Sequence, residues 1–151
     1  YATIFSCLNK PVLDNALWLT VNVEGAGLWC CISKNSPNYC GRGTNNRLPL
    51  NVWYMITFVF DNGTAYWYLD GKLLSNTKTT FTTKTVYIPT YFAIGNSYTG
   101  TSWNTDFVGY MSDFRMWSHV IEEEDVKRLY ESSASITNNG TLLLSGEVVE
   151  N

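Results

Sequence analysis

Apolar and polar positions alternate along much of this chain. Leu17, Leu19, Val21 and Val23 interleave with Trp18, Thr20, Asn22 and Glu24, the period-two pattern of a strand with one buried face. Gly25-Ala26-Gly27 then turns the chain into Leu28 to Ser33, its hairpin partner. A shorter β-prone stretch, Ala2 to Cys7, precedes them and closes at Asn9, Lys10 and Pro11. The clearest element spans Val52 to Phe60, a turn at Asp61-Asn62-Gly63-Thr64, and a returning strand from Ala65 to Leu69. Asn62-Gly63 supplies the positive φ angles that a two-residue hairpin requires. Asp70-Gly71 repeats the device and leads into Lys72-Leu73-Leu74. Thr79 to Val86 reads as a half-exposed strand and Tyr91 to Ile94 as a short apolar one ended by Gly95-Asn96. Phe107, Gly109, Met111, Asp113 and Arg115 alternate with Val108, Tyr110, Ser112, Phe114 and Met116, which predicts a further strand from Phe107 to Trp117.

One segment changes period. Ile121, Val126, Leu129 and Tyr130 form an apolar stripe, so Glu122 to Ser132 is predicted to be helical. Glu122-Glu123-Glu124-Asp125 suits its positive N-terminal end, and Lys127 and Arg128 lie nearer the other. These acids read as a solvated helix start rather than a metal or catalytic cluster. Residues 34–47, rich in Asn, Gly, Pro and Arg, lack periodicity and read as a surface loop. Ser97 to Asp106 is a second polar loop with large aromatics, and Asn138-Asn139-Gly140 introduces a last apolar strand from Thr141 to Leu144. Many strands with one late helix describe an all-β sandwich or jelly roll.

Composition narrows the function classes. In 151 residues, 45% are hydrophobic and 15% charged, which suits one packed domain and excludes a disordered chain. Aromatics reach 15%, with six Trp and ten Tyr, favouring strands over helices. A net charge of -3 lacks the basic footprint that phosphate contacts need, so no nucleic acid partner is expected. No membrane insertion is expected either, because the longest apolar stretch, Leu48 to Phe60, is broken by Asn51, Tyr54 and Thr57. No signal peptide is expected from the first residues, and Tyr1 reads as a mature, trimmed or excised terminus.

Adjacent Cys30 and Cys31 would point to opposite faces of a strand, so at most one faces any given partner. Pairing with Cys7 or Cys40 would leave odd thiols, and small buried hydrophobes with free thiols are the expectation. There is no Cys-x-x-Cys, the single His119 lies far from the cysteines, and no EF-hand pattern occurs. No cofactor is expected, though an isolated calcium ion held by one Asp and backbone carbonyls stays open.

Two segments then match something specific. Trp53 to Asp61, followed by Tyr68-Leu69-Asp70-Gly71-Lys72, resembles the concanavalin A-like, laminin G-like jelly rolls, where a Trp opens one strand and the next ends in a Tyr-x-Asp-Gly turn. Phe107-Val108-Gly109-Tyr110-Met111-Ser112-Asp113-Phe114-Arg115-Met116-Trp117 resembles the same family's penultimate strand, which leads to a short helix ending in Leu-Tyr, here Leu129-Tyr130. The resemblance implies a sandwich of two antiparallel sheets over residues 1–131, with 132–151 as a C-terminal extension. It also implies that Trp53 and Trp117 sit where the sheets meet, and that Trp53, Phe58, Trp67, Ile94, Phe114 and Trp117 are mostly buried. Relatives carry one or two strands before the equivalent of Ala2, so the chain resembles a piece of a longer polypeptide, or one whose first strands come from elsewhere. An unpaired sheet edge would follow, to be covered by Leu142 to Leu144 or by another chain. The extension itself resembles connectors of bacteriophage structural proteins and tail adhesins.

A fold does not give a function. Laminarinase-like glycosidases of this family carry Glu-x-Asp-x-x-Glu on one strand, which puts the carboxylates on one cleft face, and no such triplet occurs here. His119 has no Ser or Cys partner implied by spacing and reads as a surface or capping residue. No enzyme is expected. Tyr98, Trp103, Asn104 and Asp106, with Tyr39 and Arg42 in the other loop, have the chemistry of a carbohydrate site: aromatic faces for C–H stacking, and amide, carboxylate and guanidinium groups for hydroxyls. The expected partners are a glycan and other chains or domains of a larger assembly, on an extracellular or virion surface. A passive scaffold contacting only protein is the competing reading.

Overall fold

The computed structural model describes residues 2–7, 16–22, 27–33, 40–42, 48–74, 79–81, 92–96 and 106–138. Five strands form one antiparallel sheet: β1 (Ala2–Cys7), β2 (Ala16–Asn22), β3 (Gly27–Ser33), β4 (Cys40–Arg42) and, later in the chain, a partner of β1. The second sheet holds β5 (Ile56–Asp61), β6 (Thr64–Leu69), β7 (Lys72–Leu73) and β8 (Thr79–Thr80). The remaining strand, β9 (Phe92–Ile94), returns to the first sheet, whose order is β4-β3-β2-β1-β9. In the second, β5 flanks one side of β6, while β7 and β8 share the other.

Local chemistry explains the hairpins. Asn62 (φ 42) and Gly63 (φ 86) occupy the left-handed region between paired Asp61 and Thr64, as a two-residue turn demands. Asp70 (φ 50) and Gly71 (φ 75) do the same between Leu69 and Lys72. The Asp70 carboxylate accepts from the Met55 N–H at 2.9 Å, and its own N–H donates to the Met55 carbonyl at 2.9 Å. Asp70 is therefore a clasp on the start of β5.

Period-two alternation splits the second sheet between two layers. Ile56, Phe58 and Phe60 of β5, with Ala65 and Trp67 of β6, face the first sheet and pack with Phe5, Leu17, Val21, Leu28, Cys30 and Ile32. Phe58 and Trp67, directly opposite in register, meet edge to face at 4.9 Å between ring centroids. The opposite face carries Val59, Tyr66 and Tyr68, and is covered by Val126 of helix α1 (Glu123–Asn138). Two sheets and one helix thus make three layers around two cores.

Several expectations need correction. The helix runs to Asn138, beyond Ser132, because no Gly or Pro interrupts it before Gly140. The Ser132 hydroxyl donates to the Leu129 carbonyl at 2.9 Å and so stays compatible with a helix. Residues 34–47 are not wholly irregular, since Cys40–Arg42 pairs with Trp29–Cys31. Phe107 to Trp117 belongs to no ladder among the described residues, and Asp113 (φ 56) breaks the extended path.

This explains why four of the six expected core residues are exposed. Trp53, at 66% exposure, precedes β5 and lies on no ladder, and Ile94 sits on the edge strand β9. Phe114 and Trp117, at 46% and 38%, belong to the unpaired segment. Trp67 is fully buried and Phe58 half-buried, as expected. Cys30 is buried in the main core. The anticipated strand at 141–144, and with it the covering of the open edge, lies outside the described residues, as does 82–86 of the Thr-rich stretch.

Candidate functional site

The two aromatic loops attach to the first sheet at different places. Beside β9, the Gly95 N–H donates to the Ile4 carbonyl at 3.0 Å, and the Phe107 N–H donates to the Gly95 carbonyl at 2.8 Å. The Ser6 hydroxyl donates to the Asn96 carbonyl at 2.9 Å. These bonds draw residues 95–96 and 107 together, so the segment between them begins and ends at one closed base. Gly95 has φ +75 there, and Phe107 packs against the main core. Asp106, exposed at this base, is the one predicted member whose side chain is described. Tyr98, Trp103 and Asn104 lie outside the described residues.

The second loop leaves from the other edge. Arg42 ends β4, its backbone opposite Trp29 of β3, and Tyr39 lies outside the described residues. Four strand spacings separate β4 from β9, roughly 19 Å. Along the strands, Ser33, where the chain leaves β3, lies at the Cys7 end, whereas Arg42 stands level with Trp29, Thr20 and Thr3, at the same end as Gly95 beside Ile4. The spacing across the sheet is what keeps the attachment points of the two groups apart.

The described residues assemble a different concavity. Trp117, His119 and Ile121, with Asp125, Arg128, Leu129 and Ser132 of α1, line an open cleft of about 420 Å³. Spacings of three and four put these helix residues on one face. Arg128 donates to Asp125 at 3.2 Å, and both are largely exposed. The sequence reading placed Trp117 in the core and took His119 as a surface or capping residue, and so missed this grouping. The available signal was Trp117-x-His119 just ahead of a helix whose positions 125, 128, 129 and 132 share one side.

Electrostatics around the helix start are acidic. Burial raises the Tyr68 hydroxyl above its ordinary 10.0, and Glu123, Tyr66 and Glu122 push it in the same direction. Asp113 accepts a bidentate pair from Arg115 at 2.7 Å, with both side chains about half exposed. Among the described residues no group of three or more His, Cys, Asp or Glu side chains could hold a metal ion, and no helix is long and apolar enough to cross a membrane.

Two antiparallel sheets packed face to face, with a helix clamped on the Asp-Gly turn, define a lectin-like β-sandwich. The chain belongs to the concanavalin A-like lectin/glucanases superfamily, whose laminin G-type model matches residues 4–127. Among solved structures, an S-layer domain-containing protein from Clostridium thermocellum (residues 221–444) is similar at 16% identity and a TM-score of 0.43. The likeness covers 85% of this chain and 62% of that one. No curated protein matches the chain.

Proposed function

We propose that this domain binds glycan without catalysis, on a cell or virion surface, through Tyr98, Trp103, Asn104 and Asp106, with Tyr39 and Arg42 as an accessory group. The observation that carries this reading is the closed base at Gly95, Asn96 and Phe107. It gives a segment holding two large aromatics, an amide and a carboxylate fixed ends on a rigid sheet, the arrangement in which binding residues usually stand. Membership of a superfamily of lectins and glucanases supports a saccharide ligand, and the missing Glu-x-Asp-x-x-Glu triplet argues against hydrolysis. Stacking adds on the order of 1 kcal/mol per aromatic beyond the area it buries. After the costs of immobilisation, one site should bind in the millimolar to micromolar range, and attachment would rest on several copies acting together.

A glycan array probed with the native domain and with Trp103→Ala tests this. Binding by the native chain, lost in a variant of unchanged thermal midpoint, is the expected result. An array blank for the native protein, or a Trp103→Ala variant that unfolds, overturns it. The second reading is a scaffold or decoration domain contacting only protein. It is favoured by one observation, the exposed apolar positions Val108 and Tyr110 on an unpaired extended segment.

A further inference from the structure

We propose that the cleft between Trp117 and the outer side of α1 is a second saccharide site, selective for an uncharged pyranose. This rests on the reading that the domain binds carbohydrate, and it names a place and ligand class apart from the 97–106 segment. Its volume, about 420 Å³, falls within the range of small-ligand clefts, roughly 300–1,000 Å³. The wall is chemically mixed. Trp117 leaves part of its indole open, beside half-buried Ile121 and Leu129, so an apolar floor adjoins an aromatic face. A pyranose presents a C–H face of weak positive character, which complements the negative face of an indole. Around this floor stand Asp125 as an acceptor, Arg128 as a donor and His119, which can serve as either. Sugar hydroxyls, each both donor and acceptor, match that set.

Charge decides which sugar. Asp125 pairs with Arg128 and offsets its charge, while the guanidinium keeps further N–H groups to donate to neutral hydroxyls. Glu122, Glu123 and Glu124 precede Asp125 directly on the same helix start. A carboxylate-bearing sugar in the cleft would meet Asp125 in its lining, next to the acidic start of the helix, and charges this close in sequence are only partly screened by salt. This repulsion favours neutral hexoses over uronic or sialic acids.

The test is amide-resolved NMR titration of the ¹⁵N-labelled chain with neutral oligosaccharides of glucose, galactose, mannose and N-acetylglucosamine, beside glucuronate and sialyllactose. Shifts concentrated in residues 117–132 with a neutral sugar are expected, with affinity about tenfold or more weaker in Trp117→Ala and clearly reduced in Arg128→Ala. Should Trp117→Ala fail to fold, Arg128→Ala carries the test, because Arg128 lies exposed on the helix. The proposal falls if neutral sugars shift only residues outside 117–132, if both variants bind like the native chain, or if the acidic sugars bind more tightly. Binding abolished by Trp103→Ala but untouched by Trp117→Ala overturns this site and leaves the first reading standing. No binding of any saccharide overturns both.

Discussion

Gly71 is held by two independent constraints. Its φ of +75 lies where side chains are disfavoured, and a Cβ there would stand 2.9 Å from the Cβ of Tyr130. The Asp-Gly turn and the Leu-Tyr end of the helical stripe, separate signatures in the sequence, are thus two halves of one contact. Gly71→Ala should lower unfolding free energy by about 1–3 kcal/mol in denaturant titrations. Combined with Tyr130→Gly, the loss should fall short of the sum, because the second change removes the Cβ that clashes but not the backbone strain. Tyr68 offers a different test. Its hydroxyl resists ionisation when folded, so the folded chain holds this proton more tightly than the unfolded one. Stability from this group is therefore fully present below about pH 10 and declines as pH rises through the raised folded value. Denaturation midpoints measured across that window should fall, and Tyr68→Phe should shallow the fall; an equal slope in both proteins would refute the assignment. Asp70 and Gly71 were legible in the sequence because turn chemistry is local. Trp53 and Trp117 were misjudged because burial depends on which strand lies alongside, and a residue's own identity does not report that.

At the scale of elements, α1 acts as the second sheet's outer cover. Val126 is completely buried between Val59 and Tyr68, although the helix around it is strongly charged. Val126→Ala removes two methyl groups' worth of burial and leaves a small void, so a loss of about 1–3 kcal/mol is expected by thermal or chemical denaturation. A change within about 0.5 kcal/mol, the range of surface substitutions, would mean that the helix is not seated on the sheet. The hairpins β2–β3 and β5–β6 follow the alternation and turn residues to within a few positions, because each carries its register in a short stretch. Cys40–Arg42 escaped notice for the opposite reason: three residues including a glycine show no period, and only the neighbouring β3 makes them a strand. Phe107 to Trp117 has the strand pattern without the strand, as pairing needs a partner as well as a sequence. The candidate sites divide in the same way. Aromatic loops announce themselves by composition, whereas the Trp117 cleft exists only once the helix lies against the segment before it.

For the whole molecule, the open question is what meets the exposed apolar strip. Val108 is 94% and Tyr110 87% exposed, and Met111, Met116 and Val120 are exposed along the same 107–120 segment. Scattered apolar residues on a surface need no explanation, but a run within one segment is the kind of patch that marks contact with protein. The segment is anchored on its inner side: Phe107 packs against the main core, and the Phe114 ring stacks on Phe5 at 5.6 Å with an interplanar angle of 22°. It is thus a fixed ridge. A net charge of only -3 gives weak repulsion between copies, so concentrated solutions should associate through this ridge. Light scattering over a concentration series should show apparent mass rising in the native chain and staying monomeric in a Val108→Lys, Tyr110→Lys double variant. Both side chains stand almost entirely in solvent, so the thermal midpoint should barely move. If the native chain stays monomeric at every concentration, the ridge is not an interface between copies, and the scaffold reading then needs a different protein to cover it. If association persists unchanged in the double variant, another surface is responsible and the strip loses its claim as a docking face.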